Sequence, residues 1–277
     1  MKKYKVGVIG NGFVGEAISF AFSPISQLYI YDKNPLKSLS DLNSVHSCKF
    51  VFVCVPTPMY KDGSQDLSYV ENVFENASDE PIYILKSTVL PGTTDELSKK
   101  FSKIKIIFSP EFLTERTAKL DMLTQSRIIL GGKYNLTEIV KNLFCERFKN
   151  KNIIQTDAKT AELTKYMNNT FFATKVSIMN EFKLLCQKVG ANWEDALRGF
   201  TSDGRIGDSH LNVPGHDGLL GYGGTCFPKD VNALLYFSKI NGIEMNTIAG
   251  GWKTNLKVRS EKDWENKEGR SVSFKKK

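Results

Sequence analysis

Cysteine is scarce in this chain: five residues in 277, at Cys48, Cys54, Cys145, Cys186 and Cys226, with no C-x-x-C spacing among them. That scatter excludes a disulfide framework and a cysteine-built zinc site, and implies reduced thiols in a cytoplasmic setting. No metal is expected. Long apolar runs are also missing, and none approaches the ~20 residues that span a bilayer. The opening MKKYKVGVIGNGFVG breaks into glycines before it forms the apolar core of a signal peptide. There is no internal repeat and no low-complexity block. The formal charge of +8 is spread along the chain, with a local excess only at Lys275-Lys276-Lys277, so no nucleic-acid partner is expected. What remains is the composition of a soluble globular protein with length for one large domain or two smaller ones.

The first half alternates short apolar runs with amphipathic stretches. YKVGVI (4–9), LYIY (28–31), FVFVCV (50–55), IYILK (82–86), IKIIFS (104–109) and RIILG (127–131) read as buried strands. Near-continuous apolar strands separated by helices predict an α/β fold, a doubly wound parallel sheet of Rossmann type. From Ala158 to Val189 there is neither Pro nor Gly, which predicts one long helix ended by Gly190. A second helix follows over 192–200, then a glycine-rich stretch, then a helix after Cys226. The expected division is 1–157, 158–260 and a charged tail over 261–277 that packs loosely or frays.

Gly10-Asn11-Gly12-Phe13-Val14-Gly15 is a G-x-G-x-x-G between a strand and a helix. Gly10 makes the tight turn, Gly12 lets the backbone approach a pyrophosphate, and Gly15 lets helix and strand pack closely. Phe13 and Val14 belong to the cofactor loop, and the helix that follows, opening with Glu16-Ala17-Ile18, faces the diphosphate with its N-terminus. Asp32 ends the second strand, where a carboxylate accepts from ribose hydroxyls and repels a 2′-phosphate. The expected cofactor is therefore NAD rather than NADP.

The segment GYGGTCFPKDVNALL (221–235) delivers Cys226 behind a glycine run and at the start of a helix, with Pro228 suited to the first helical position. A thiol there meets the positive end of the helix dipole, with Lys229 nearby, and its thiolate fraction should rise. Cys226 is a candidate covalent nucleophile; a buried structural thiol is the alternative.

In order along the chain, GNGFVG, VPTP (55–58), KSTVLPGTTD (86–95), SPEFLTE (109–115), AELTKYMNNTFFATKVSIMNE (161–181) and GYGGTCFPKD form a set. From Lys5 to about Asn255 this set resembles the UDP-glucose/GDP-mannose dehydrogenase family of nucleotide-sugar dehydrogenases, its UDP-glucose branch above all. The resemblance implies oxidation of a sugar CH2OH to a carboxylate with two NAD+. It implies a small central helical domain that forms a homodimer. In that family pattern Cys226 matches the nucleophile, and Lys165 and Asn169, one helical turn apart, stabilise oxyanions. Asp230 matches the aspartate that works with the lysine and an ordered water in proton transfer. Glu111 matches the general base for thioester hydrolysis, and Thr88 the threonine that holds the catalytic water. Glu115 and Lys229 match residues beside the cofactor, and Thr57 and Pro58 shape the cofactor loop. The resemblance places Glu111, Phe112, Leu113, Lys165, Asn169, Tyr222, Gly223 and Gly224 against the UDP-sugar. Gly221, Gly223 and Gly224 would let backbone amides approach it. Arg205 matches an arginine that reaches the substrate of the neighbouring subunit.

Relatives of this kind continue through a second nucleotide-binding domain, so the expectation is a short form of the enzyme. The alternatives are a form completed by a second polypeptide and a remnant that binds cofactor without turnover. GDP-mannose is the alternative substrate, and a single-step alcohol or β-hydroxyacid dehydrogenase the alternative enzyme.

Overall fold

The computed structural model describes residues 3–275. Lys276 and Lys277, the end of the expected basic tail, lie outside the described residues. The chain divides into two units: residues up to Thr57 with Gln65–Lys165, and Pro58–Ser64 with the chain from Tyr166 onward.

The first unit is built from β1 (Tyr4–Ile9), α1 (Phe13–Phe22), β2 (Ser26–Tyr31), α2 (Leu42–His46), β3 (Phe50–Val53), α3 (Ser68–Glu75) and β4 (Ile82–Leu85). It continues through α4 (Thr93–Lys100), β5 (Lys105–Phe108), α5 (Ala118–Thr124), β6 (Arg127–Gly131), α6 (Tyr134–Arg147) and β7 (Asn152–Thr156). The strands form one sheet in the order β2-β1-β3-β4-β5-β6-β7. Every junction is parallel except β5 with β6, which meet antiparallel at Phe108 and Gly131. Alternate residues on each strand feed opposite faces. Val6, Val8, Phe50, Phe52, Ile82 and Ile84 pack with Ile18 and Phe22 of α1 and Val140 and Phe144 of α6. Val51, Val53, Tyr83, Leu85 and Phe108 pack with Val45 of α2, Val70 and Phe74 of α3 and Leu97 of α4. At roughly 1.5–3 kcal/mol per fully buried apolar side chain, the two faces dominate the unit's stability. The doubly wound α/β architecture is the one the apolar strands predict. The strand β7 was not expected from the sequence. It is an edge strand of NIIQT with no fully buried residue, so it carries none of the continuous apolar signal of its neighbours.

The long helix α7 (Ala158–Val189) begins in this unit and runs into the next. Asp157 starts it by accepting from the Thr160 amide at 2.8 Å. Gly190 ends it in the left-handed region (φ 74°), with the Ala191 amide reaching back to the Cys186 carbonyl at 2.9 Å.

The second unit adds α8 (Trp193–Thr201), α9 (Phe227–Ile240) and α10 (Asn246–Val258). One cluster joins Met179, Trp193, Leu211 and Val213; another joins Ala173, Tyr222 and Val231 with Phe227 and Trp252 packed against it. The described residues after Glu261 are packed rather than frayed. Asp263–Asn266 forms a 3-10 turn whose Trp264 is 2% exposed and lies 5.5 Å from Trp252, centre to centre. Beyond it the chain pairs with residue 59: the Met59 amide donates to the Ser271 carbonyl and the Ser273 amide to the Met59 carbonyl, each at 2.8 Å. The charged composition concealed one buried tryptophan and one backbone pairing, and these anchor the segment.

Trp264→Ala should therefore lower the stability of this unit by about 3–5 kcal/mol. An unchanged urea midpoint would show that the segment contributes nothing.

Candidate functional site

The glycine loop of the first unit is shaped for a dinucleotide. Gly10 has φ 92°, and a Cβ there would meet the Cys54 carbonyl oxygen at 2.7 Å. A Cβ on Gly15 would strike the Gly10 carbonyl, whereas Gly12 has nothing within 4 Å of the place a Cβ would take. That open side, at the end of a helix with no side-chain cap, is where a pyrophosphate fits. Asp32 accepts from the Asn11 amide at 2.6 Å and from the Asn34 amide at 2.8 Å. One acceptor position on each carboxylate oxygen remains for ribose hydroxyls. Glu115 is exposed and shares a shallow cleft with Phe13 and Glu16 beside the loop. Thr57 donates through Oγ1 to the Thr88 carbonyl at 2.7 Å, and Gln65 Nε2 donates to the same oxygen at 2.7 Å. Pro58 is counted with the second unit.

Behind the strand ends lies a buried charged cluster. Lys165, on the second turn of α7, is 3% exposed, and its Nζ donates to Glu111 Oε1 at 2.8 Å and to the Glu111 carbonyl at 2.6 Å. Glu111 Oε2 accepts from the Leu113 amide at 2.7 Å. Burial opposes ionisation of Glu111, but the Lys165 charge and hydrogen bond, the Leu113 amide and the Lys86 charge together outweigh it. The carboxyl is held below its ordinary range. Phe112 lies under two cations, 4.2 Å from the Arg127 guanidinium and 5.5 Å from Lys165 Nζ. Glu162, three residues before Lys165, accepts from the Gly92 and Thr94 amides at 2.6 and 2.8 Å and from Thr94 Oγ1 at 2.6 Å. It thereby caps α4 from α7 and ties the KSTVLPGTTD loop to the helix that carries Lys165. Burial pushes the Glu162 carboxyl up to about 7.

In the second unit Cys226 is the N-cap of α9, half-buried, its Sγ 3.7 Å from Thr225 Oγ1. Pro228 takes the second helical position rather than the first. Asp230 is 1% exposed, accepting from Asn169 Nδ2 at 2.6 Å and from Lys229 Nζ at 2.5 Å. Lys229 is thus engaged by its neighbouring carboxylate. The glycine-loop amides are also used inside the unit. Gly221 donates to Asn180 Oδ1 at 2.9 Å, Tyr222 to Asn255 Oδ1 at 2.7 Å, and Gly224 to Asp263 Oδ2 at 2.9 Å. These bonds hold the loop rather than reach outward, as its glycines had suggested. At Gly223 a Cβ would collide with Asp263, so the absent side chain serves close packing. Tyr222 buries its ring against Trp252 and Phe227. Arg205 stands apart from this group, with its side chain 89% exposed and 2.5 Å from Asp203.

The fold and the glycine cradle are those of a dinucleotide-linked dehydrogenase. The chain belongs to the UDP-glucose/GDP-mannose dehydrogenase family: residues 28–149 match its NAD binding domain and 159–257 its central domain. It is 33% identical over 222 residues to a UDP-glucose 6-dehydrogenase of Rickettsia conorii, covering 77% of this chain and 50% of that one. It is 31% identical over 268 residues to a UDP-glucose 6-dehydrogenase of Campylobacter jejuni, covering 83% and 67%. The solved UDP-glucose dehydrogenase of Pyrobaculum islandicum superposes with a TM-score of 0.81 at 26% identity, covering 92% of this chain and 68% of that one. The chain thus spans about half the length of the Rickettsia relatives it matches. Among the described residues no helix is long and apolar enough to cross a membrane.

Sequence reasoning missed Lys86, Glu162, Asn180, Asn255 and Asp263, all of which hold site loops in place. Lys86, Glu162 and Asn180 stand inside the sequence motifs, whereas Asp263 stands in the charged segment after Glu261.

Removing Lys165 tests the charged cluster. Lys165→Met leaves Glu111 buried without its main partner and should cost about 3–5 kcal/mol at pH 7. In the native protein the depressed Glu111 contributes stability above its unfolded value near 4.5, lost as pH falls through the lower folded value. In the variant that contribution is gone, so the gap between the two proteins should narrow on acidification. Parallel pH–stability curves would refute the pairing.

Proposed function

We propose that this chain catalyses the NAD-dependent oxidation of UDP-glucose to UDP-glucuronate. The supporting observation is the first turn of α9, where the capping Cys226 precedes an Asp230 already bonded to Asn169 at 2.6 Å. A thiol is what a second oxidation requires, because an aldehyde loses hydride only from a tetrahedral adduct. Bound NAD supplies the hydride acceptor for both oxidations.

The chain's residues divide the remaining work. Lys165 and Asn169 polarise the reacting oxygen and stabilise the oxyanions. Cys226 attacks the aldehyde carbon through its sulfur, forming a thiohemiacetal. Loss of hydride leaves a thioester, and water breaks the carbon–sulfur bond to release the carboxylate and regenerate the thiol. Glu111 takes a proton from that water, Thr88 holds it, and Asp230 assists proton movement. The overall balance is RCH2OH + 2 NAD+ + H2O giving RCOO− + 2 NADH + 3 H+. Gly10, Gly12, Gly15, Asp32, Thr57, Pro58, Glu115 and Lys229 serve the cofactor; Phe112, Leu113, Tyr222, Gly223 and Gly224 shape the sugar side. The dinucleotide part is 1–157, the catalytic central part 158–260, and 261–277 a charged C-terminal tail whose Trp264 packs against the latter.

A homodimer belongs to this reading. Met167, Phe171, Ile178, Phe182, Leu185 and Val189 leave a stripe of exposed apolar surface along α7, 44–66% exposed at each position. The exposed Arg205 is then available to a neighbouring active site.

Two NADH per UDP-glucose consumed is the expected stoichiometry. Cys226→Ser should cut acid formation by roughly a thousandfold or more, and unchanged acid production would remove the cysteine from the reaction. Turnover of GDP-mannose alone would reassign the sugar, and NAD binding without NADH formation from either would make the chain non-catalytic. In sedimentation, Phe171→Glu with Phe182→Glu should convert a dimer to a monomer; a native monomer with full activity would refute the dimer.

A further inference from the structure

The charged segment after α10 reaches the loop that carries Cys226. Asp263 Oδ2 accepts from the Gly224 amide at 2.9 Å, two residues before the thiol. Of the three side chains that accept loop amides, Asp263 takes the one nearest Cys226 in sequence. Both carboxylate oxygens are themselves held, Oδ1 by Arg259 Nη2 at 3.1 Å and Oδ2 by Lys267 Nζ at 3.1 Å. Burial opposes ionisation of Asp263, but the Gly224 amide, Lys267 and Arg259 outweigh it. The carboxyl stays below its ordinary range, so it meets the amide as an anion in a charge-assisted bond.

The loop and its anchor are matched in shape and stiffness. Gly224 has φ 79°, in the left-handed region, with nothing within 4 Å of the place a Cβ would take. Glycine is required there by conformation. At Gly223 a Cβ would collide with the Asp263 carboxylate and the Arg259 guanidinium, so the loop lies directly on this charged pair. Arg259 ends α10 with its side chain 3% exposed, and it also bonds Asp217 at 2.8 Å and the Glu261 carbonyl at 3.1 Å. Trp264, beside Asp263, is buried against Trp252, and Ser271 and Ser273 pair with the Met59 backbone. Asp263 is thus fixed from both sides along the chain.

We propose that Asp263 is a positioning residue for Cys226, fixing the backbone of Gly223 and Gly224 so that the thiol is presented to the aldehyde carbon. The proposal rests on the nucleotide-sugar reading of the site and deepens it. It ties Asp263 to the oxidation that passes through sulfur, RCHO + NAD+ + H2O giving RCOO− + NADH + 2 H+. The reverse of the first oxidation, RCHO + NADH + H+ giving RCH2OH + NAD+, forms no bond to sulfur and does not depend on Asp263.

The 6-aldehyde of UDP-glucose probes both directions. In Asp263→Ala the Arg259 guanidinium keeps Asp217, so no buried charge is left unpaired and the variant should fold. Its oxidation of the aldehyde by NAD+ should fall about tenfold to a hundredfold, while reduction of the aldehyde by NADH should be unchanged. Asp263→Asn, which keeps an acceptor oxygen without the charge, should lose less. Hydrogen exchange at the Gly224 amide should quicken about tenfold or more in Asp263→Ala. Equal losses in both directions would make Asp263 purely structural, and undiminished oxidation in the folded variant would show that the thiol needs no such anchor. Either result overturns the proposal. If the native protein turns over the aldehyde in neither direction, the functional reading fails, and the Gly224 exchange alone decides whether Asp263 fixes the loop.

Discussion

A carboxylate and an ammonium buried against each other must be held together, because parting them leaves a charge out of water and unpaired. Lys165 and Glu111 impose that condition on the first unit. Glu111 stands in the loop after β5, which must be fixed well enough to present both its carboxylate and its carbonyl to one ammonium. The Leu113 amide closes the loop on the second carboxylate oxygen. Lys86 secures the two preceding residues from the end of β4, and Glu162 fixes the start of α7 against α4. Three segments far apart in sequence, 86–95, 109–113 and 162–165, are thus adjusted to one ion pair. That is the preorganisation a site needs when charge develops during reaction.

The second unit achieves rigidity by other means. The loop that leads to Cys226 is rich in glycines and would be mobile if its amides were left to water. Asn180, Asn255 and Asp263 each accept one of those amides, and Asn255 also donates back to the Tyr222 carbonyl at 3.0 Å. Glycine here is required by crowding as much as by conformation. At Gly221 a Cβ would run into the Asn255 side chain, and the residue has φ 69°. The close approach is what lets the side-chain amide read the backbone on both sides.

Much of this was legible in the sequence. The strands that build the sheet's interior announce themselves as unbroken apolar runs, and the G-x-G-x-x-G stands where strand meets helix. The long helix declares both ends, through the absence of breakers and the presence of Gly190. The edge strand β7 was hidden because a half-exposed strand alternates too weakly to stand out from a loop. Trp264 was hidden by its charged neighbours, although a single buried aromatic outweighs several solvated lysines in deciding whether a segment packs. Lys86 was legible as the end of the buried run IYILK, but the run does not show which loop its ammonium meets. The glycine-loop amides were legible as donors, but a sequence does not show where a donor points.

The support of the cysteine loop also has an order in time. Asn180 is already in the growing chain when Gly221 is made, but Asn255, Arg259 and Asp263 are added only after Cys226 has been synthesised. Asp263 in turn is held by Arg259 and Lys267, each at 3.1 Å. During translation the thiol therefore passes through a period in which its loop lacks two of its three side-chain anchors. The anchored form of the loop is completed last, after the strands of the first unit's sheet have been synthesised.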